Sequence, residues 1–216
     1  MELELKKECL DVFEAGDRQT LTQEETAETI VPDYCPDIAR IISAEGVVCL
    51  HGGAEQEGIS GTVRVTVLYT PENETGVRAL EFAMPFTVQG EGRADCAHVS
   101  AETEIELLES RMLNPRKIFT RCKLVTHLAG CRKVCLTISS DAETDPALLV
   151  EKRCCGQTVS LLRQVAEKDL TFSETMSLSL GREGAAELLH CRANGIVTET
   201  KAIGNKLIFK GVFLVS

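Results

Sequence analysis

The stretch ISGTVRVTVLYT, residues 59–70, predicts a β-strand, because its apolar and polar residues alternate almost without interruption. An alternation with a period of two places one set of side chains on each face of a β-strand. The preceding run, residues 41–50, is predicted to be its hairpin partner, since the connection HGGAEQEG contains glycines that permit a positive φ. The predicted inward face of the quoted strand consists of Ile59, Gly61, Val63, Val65, Val67 and Tyr69.

The same alternation recurs further along the chain, in residues 80–86, 99–107 and 118–128. The last two segments flank MLNPRK, whose Asn and Pro favour a turn, and Pro85 predicts an edge strand or a bulge. We expect a mostly-β protein, an antiparallel β-sandwich or barrel-like domain with short helical turns, one of them beginning at Pro36. The predicted inward residues of these segments are Leu80, Phe82, Met84, Phe86, Val99, Ala101, Thr103, Ile105, Leu107, Leu124 and Leu128.

An internal repeat organises the chain. Residues 23–48 align without a gap with residues 172–197, and after one gap SGTVRVTV from Ser60 aligns with KGVFLVS from Lys210. We therefore predict a complete β-domain at residues 1–145, and a linker with the first half of a second copy at residues 146–216. A sheet that ends there leaves an edge unpaired, which indicates either a longer chain or self-association through the unpaired edge strand. The matched residues include Ala44 with Ala193, Gly46 with Gly195, and Val48 with Val197.

The composition narrows the range of partners. The chain has 33 acidic and 23 basic residues and a formal net charge of −10, which repels nucleic acid and anionic lipid. It has no Trp and 4% aromatic residues, which leaves little for base stacking. No apolar run approaches the roughly 18 residues of a membrane-spanning helix. We expect a cytoplasmic protein that binds no nucleic acid, does not insert into membranes, and keeps its ten cysteines reduced.

The sequence contains no recognisable enzymatic motif. Gly-x-Ser-x-Gly, P-loop and dinucleotide-binding patterns are absent. Cys35 could act as a nucleophile if Pro36 began a helical turn, but the second copy has Gly184 in its place. We therefore predict that the chain is not an enzyme and holds no cofactor.

A cytosolic thiol or metal-binding protein is the alternative. His127, Cys131 and Cys135 have the spacing of ligands on a helix, but on a strand this spacing separates neighbouring side chains by about 13 Å. Because the segment alternates like a strand, we predict no metal there unless a break at Gly130 brings the first two residues together. The vicinal thiols Cys154 and Cys155 could bind a soft metal or oxidise, or could simply be one buried and one exposed residue.

One basic cluster stands out in this acidic chain, around the sequence NPRK. If the flanking strands form a hairpin, its charges can pair across the strands with the acidic residues of segment 99–107 and with Glu109, and otherwise they form a docking patch for an acidic partner. The cluster comprises Arg111, Arg116, Lys117, Arg121 and Lys123.

Three runs of residues, in this order, carry a family resemblance: IVPDYCPDIARIISAEG (30–46), GTVRVTVLYTPE (61–72) and ELLESRMLNPRKI (106–118). Together they resemble the SPOCS domain of endospore-forming Firmicutes, which occurs in spore coat and cortex morphogenetic proteins of the SipL-like kind. The resemblance covers about residues 20–140 as a full copy, and residues 170–216 as the first half of a second one.

The resemblance implies a non-enzymatic scaffold in spore envelope assembly, in the mother-cell cytoplasm at the forespore surface. Its implied partners are spore coat morphogenetic proteins and the ATPase of the coat basement layer. Members that dock on this ATPase do so through a C-terminal LysM domain, and no LysM-like sequence precedes Ser216. We place the binding residues in the NPRK turn and in the corner at residues 32–40, which gives Asn114, Pro115, Arg116, Lys117, Arg121, Pro32, Asp33, Asp37 and Arg40.

Overall fold

The computed structural model describes residues 4–55, 58–90, 96–143 and 188–216, together with 151, 153, 156, 158–166, 168, 171 and 173–175. In these residues eight strands form and no helix does, which confirms the mostly-β prediction. No helix in the described residues has the length and hydropathy to cross a membrane. The strands are β1 (Glu4–Ile30), β2 (Ile38–Glu55), β3 (Gly58–Pro71), β4 (Arg78–Val88), β5 (His98–Asn114), β6 (Lys117–Glu143), β7 (Ala193–Ile203) and β8 (Lys206–Val215).

The first six strands form a β-sandwich. One antiparallel sheet has the order β2-β3-β4 and the other the order β1-β6-β5, and they share a single apolar core. Each fully buried Val or Leu contributes roughly 1.5–3 kcal/mol by leaving water. The core residues with no exposed surface are Val31, Ile38, Val63, Val65, Val67, Tyr69, Ile118, Cys122 and Leu124.

The predicted hairpin of residues 41–50 with residues 59–70 is confirmed. β2 and β3 pair antiparallel, with Gly46 opposite Val65, and Gly58 at the start of β3 has a φ of 141°. A side chain at Gly46 would collide with Ile105 and Leu108 of β5. A larger residue would force these side-chain ends to shift, so a glycine is favoured where β2 of one sheet comes close to β5 of the other. Pro85 lies on β4, an edge strand of this sheet as expected.

Strand β1 was not predicted from the sequence, although it is as long as β6, its partner along its whole length. The cause is the composition of its inward face between residues 19 and 29, where four of the six half-buried residues are polar. Gln23 and Glu25 both point inward and satisfy one another by a hydrogen bond of 3.1 Å between Gln23 Nε2 and Glu25 Oε1. The strand is held by its pairing with β6 more than by its own apolar pattern.

β1 and β6 continue beyond the sandwich as a two-stranded ribbon. β5 begins opposite Cys131, and past this point β6 pairs only with β1 among the described residues. Cys9 and Cys135 form a disulfide across the ribbon, with 5.8 Å between their Cα atoms. The expectation of reduced cysteines is therefore wrong for these two residues. The segment 158–166 touches the ribbon where the Phe13 N–H donates to the carbonyl of Leu162 at 2.7 Å.

Two local predictions are wrong. The chain turns at residues 33–35 and enters β2 at Ile38, so the helical turn expected after Pro36 does not form. In β5 a register shift between Ile105 and Leu107 turns Leu107 outward and places Leu108 against the core instead. In both places, tertiary packing overrides a local sequence preference.

β7 and β8 form a separate antiparallel hairpin. A two-residue turn joins them, and Gly204 at its first central position has a φ of 58°, which suits a tight hairpin turn. This is the region predicted to open a second copy, and its assignment as a half-repeat after a linker stays a prediction.

Candidate functional site

The structure brings the two predicted binding segments together at one end of the sandwich. The corner at residues 31–37 crosses from β1 to β2, directly beneath the Pro115–Arg116 turn between β5 and β6. The N–H of Val31 donates to the carbonyl of Arg116 at 2.9 Å, and the N–H of Ile38 donates to the carbonyl of Pro115 at 2.9 Å. Both ends of the corner are therefore bonded to the same turn.

The side chain of Arg116 closes this junction. Its Nη1 donates to the carbonyl of Cys35 at 2.8 Å and to Asp37 Oδ1 at 3.1 Å, and its Nη2 donates to the carbonyl of Val31 at 2.9 Å and to Asp33 Oδ1 at 3.0 Å. A guanidinium is suited to this task, because its donors form a rigid planar fork. We call Arg116 and these four partners the Arg116 latch.

The turn residues hold Arg116 in position. The side-chain oxygen of Asn114 accepts the N–H of Arg116 at 2.9 Å, which is the bond that Asn makes in an Asx turn. Pro115 sets the backbone of the turn and presents its carbonyl to Ile38. Each residue of the NPR sequence therefore has a structural task at the corner.

The corner is also tied to the end of β3. The hydroxyl of the buried Tyr69 donates to the carbonyl of Pro36 at 3.3 Å, and the N–H of Glu72 donates to the carbonyl of Asp37 at 2.9 Å. Burial, and next the neighbouring Cys35, raise the pKa of Tyr69 above its usual range, so the hydroxyl stays protonated as a donor. Residues from all three runs of the family resemblance thus meet at this end of the sandwich.

The basic cluster is paired within the chain. Arg121 lies 2.6 Å from Glu24 of β1, Lys117 forms an ion pair with Glu28 of β1, and Lys123 lies 2.7 Å from Glu106 of β5. The predicted β5–β6 hairpin is confirmed. Two of its basic residues, Lys117 and Arg121, nevertheless form their ion pairs with β1, the strand that was not predicted from the sequence. The remaining member, Arg111, lies over the ring of Phe119 at 4.9 Å from its centroid.

These pairings decide what the site presents to solvent. Asp33 and Asp37 share one guanidinium, so the latch keeps a net negative charge, and both carboxylates are accessible. Tyr34 stands between them in sequence and is 87% exposed, while Arg40 is exposed at the start of β2. The corner therefore exposes an aromatic ring and two carboxylates, and their use by a partner stays a prediction.

The structure does not bring His127, Cys131 and Cys135 together as a group of metal ligands. β6 runs unbroken through Gly130, which keeps the three side chains apart, and Cys135 is bonded to Cys9. The described residues contain no group of three His, Cys, Asp or Glu side chains arranged to hold a metal ion. Cys154 and Cys155 lie outside the described residues. Among the free thiols, burial raises the pKa of Cys122 to about 11, which makes it a poor nucleophile.

No protein family model, curated protein or solved structure matches the chain. The resemblance to the SPOCS domain therefore depends on the three quoted runs and on their order in the sequence.

Proposed function

We propose that the chain is a non-enzymatic interaction module in the assembly of the spore envelope. The observation that supports this most is the meeting of the three resembling runs at the Arg116 latch. Three of the predicted binding residues, Asp33, Asp37 and Arg116, bond to one another and to backbone carbonyls. Their first role is to hold a corner, which fits a scaffold better than an enzyme.

The binding face in this proposal is the exposed rim of the latch. Tyr34 supplies a large exposed aromatic surface, and Asp33 and Asp37 of the same corner add negative charge. Exposed aromatic residues are enriched at the energetic centres of protein interfaces. The face suits a partner that has an apolar pocket with a basic rim.

The partners and the compartment follow from the family resemblance. We propose coat morphogenetic proteins, among them the ATPase of the coat basement layer, as the partners. The chain would act in the mother-cell cytoplasm, at the surface of the forespore.

Direct binding to the purified basement-layer ATPase tests the proposal, measured by biolayer interferometry with the 216-residue chain immobilised. We expect Tyr34→Ala to weaken binding by about tenfold, as for an interface anchor. The control Leu136→Ala, an exposed apolar residue in the ribbon, should leave binding unchanged.

A fluorescent fusion in sporulating cells gives the second readout, with a ring around the forespore as the expected result. If the fusion is diffuse and neither the ATPase nor the coat morphogenetic proteins bind the chain, the proposed function is wrong.

A further inference from the structure

The β7–β8 hairpin exposes apolar side chains on both of its faces. A two-stranded hairpin is at best marginally stable alone in water, and a contiguous exposed apolar surface marks an interaction site. Three or more strands are usually needed for independent stability, so we expect the hairpin to gain at least one further strand. Its exposed apolar residues, between 40% and 65% accessible, are Ile196, Val197, Ile203, Leu207, Ile208, Phe209, Val212, Phe213, Leu214 and Val215.

The outer edge of β7 offers backbone groups for pairing. Within the described part of the chain, β8 is the only strand that pairs with β7. An edge strand presents a row of N–H and C=O groups that another chain can extend. A register shift between Val197 and Glu199 interrupts the ladder, which leaves residues 199–203 as its regular part.

We propose that a second copy of this chain adds to β7, with the two β7 strands antiparallel and centred on Thr200. In this register Glu199 of each copy lies opposite Lys201 of the other, and the two Thr200 residues face one another. A slide of two residues in one direction would place Glu199 against Glu199, and in the other direction Lys201 against Lys201. Like charges directly opposite destabilise a sheet, so the charge pattern selects the centred register.

The faces of the hairpin support the same register. Glu199, Lys201 and Ile203 share a face, because they pair with Lys210, Ile208 and Lys206, which lie at alternate positions of β8. The register shift returns Ile196 to that face, since it pairs with Val212. Ile203 of one copy therefore lies at the same end as Ile196 of the other, and these apolar residues flank the two charge pairs. The interface is isologous, as in most dimers with a two-fold axis.

Glu199 can serve both copies. Within its own chain it pairs with Lys201, and with Lys210 at 3.3 Å. A carboxylate has about four acceptor positions, so Glu199 can keep Lys210 while it accepts Lys201 of the second copy. The resulting four-stranded sheet has the order β8-β7-β7-β8 and leaves no open β7 edge.

Analytical ultracentrifugation of the 216-residue chain tests this proposal. The wild-type chain should sediment as a dimer. The variants Glu199→Lys and Lys201→Glu should each raise the dissociation constant by at least about tenfold, because each places like charges opposite one another twice. An equimolar mixture of the two variants should dimerise again, since one chain then carries two lysines opposite two glutamates. This recovery also shows that each variant still forms β7.

The control is Lys168→Glu, which makes the same charge change at an exposed residue outside the hairpin and should dimerise like the wild type. A wild-type chain that stays monomeric at about 100 μM, where a micromolar dimer is fully formed, overturns the proposal. Dimers that are insensitive to both charge variants also overturn it. If Phe209→Glu then abolishes dimerisation, the interface is on the β8 edge instead.

Discussion

The β2–β3 and β7–β8 hairpins show what an alternating sequence does and does not determine. Both are antiparallel, and both place a glycine of the first strand opposite an apolar residue of the second, Gly46 opposite Val65 and Gly195 opposite Phe213. In β2–β3 the apolar face is buried because a second sheet covers it, whereas the apolar residues of β7–β8 remain accessible. Alternation therefore determines which side chains share a face, and a covering sheet determines whether that face is buried.

The two hairpins also differ in register. If the second followed the first residue by residue, Gly195 would pair with Val215, the counterpart of Val65, but it pairs with Phe213. A shift of two residues keeps every side chain on its face, so the apolar pattern alone does not oppose it. In β2–β3, packing against the other sheet and the close approach at Gly46 set the register.

The largest expected effect is a matched pair of leucine truncations. Leu124→Ala empties a fully buried site in β6 and should lower the free energy of unfolding by about 2–5 kcal/mol, the usual cost of a cavity. Leu207→Ala in β8, where the side chain is 65% exposed, should change it by less than about 0.5 kcal/mol. Urea denaturation of the dilute proteins measures both. Equal losses would show that the β7–β8 hairpin is covered in solution, and would contradict the difference between the two hairpins.

The ribbon of β1 and β6 is a second pair of strands that no other sheet covers, but a disulfide links its two strands. The Cys9–Cys135 disulfide closes a loop with a sequence separation of 126 residues, so replacing both cysteines by Ser should cost about 2–4 kcal/mol under oxidising conditions. The control Cys131→Ser removes a free thiol from the same strand and should cost less. Denaturation with and without a reductant separates the two effects, since the reductant should weaken the wild type but not the double variant. A wild type that the reductant leaves unchanged would contradict the role of the disulfide.

The entry to each hairpin provides the next comparison. β2 begins at the Arg116 latch, whereas the base of β7–β8 is joined by backbone bonds between Arg192 and Ser216. Arg116→Ala leaves two carbonyls and two carboxylates without this donor and should cost about 1.5–3 kcal/mol. Arg116→Lys should recover only part of this, because an ammonium cannot form the planar fork.

Arg132→Ala is the control for the latch. Arg132 makes a single exposed pair with Glu14 at 3.0 Å, and its loss should cost no more than about 1 kcal/mol. If both arginine variants lose the same stability in urea denaturation, the latch is an ordinary surface ion pair.

Much of the sandwich could be predicted from the sequence. β3, β4, β5 and β6 alternate clearly because one face of each is buried, and the Asn-Pro turn and the glycine-containing connection mark their hairpins. β1 could not be predicted, since its inward face carries Gln23 and Glu25 and its stability comes from pairing with residues at least 87 positions away. The outward orientation of the Leu107 side chain could not be predicted from the neighbouring residues either, because it depends on a register shift against β6.

The candidate site was predicted as two segments, and their contact could not be foreseen. The prolines and aspartates of the corner and the NPRK turn are distinctive in sequence, but Arg116 and Asp33 are 83 residues apart. Only the crossing of the chain from one sheet to the other brings them together. The exposure of Tyr34 could not be predicted either, because an aromatic residue between two prolines gives no indication of whether it is buried.

The smallest expected effect compares charge pairs in the covered and uncovered regions. Hydrogen bonding to Arg121 lowers the pKa of Glu24 on the sandwich, and hydrogen bonding to Lys201 and Lys210 lowers the pKa of Glu199 on the hairpin. A lowered folded-state pKa stabilises the protein above the ordinary Glu value of about 4.3, and this stabilisation is lost as the pH falls through the folded value.

Glu24→Gln should therefore be slightly less stable than the wild type at pH 7, and the difference should vanish on acidification. Both carboxylates are exposed, so about 1 M salt should screen the difference as well. Glu199→Gln should leave the unfolding of the sandwich unchanged at every pH, because the β7–β8 hairpin makes no part of its core. Denaturation midpoints across pH 3–7 measure both variants. A Glu199→Gln effect that matches Glu24→Gln would mean that the hairpin unfolds together with the sandwich, and that the two regions form one cooperative unit.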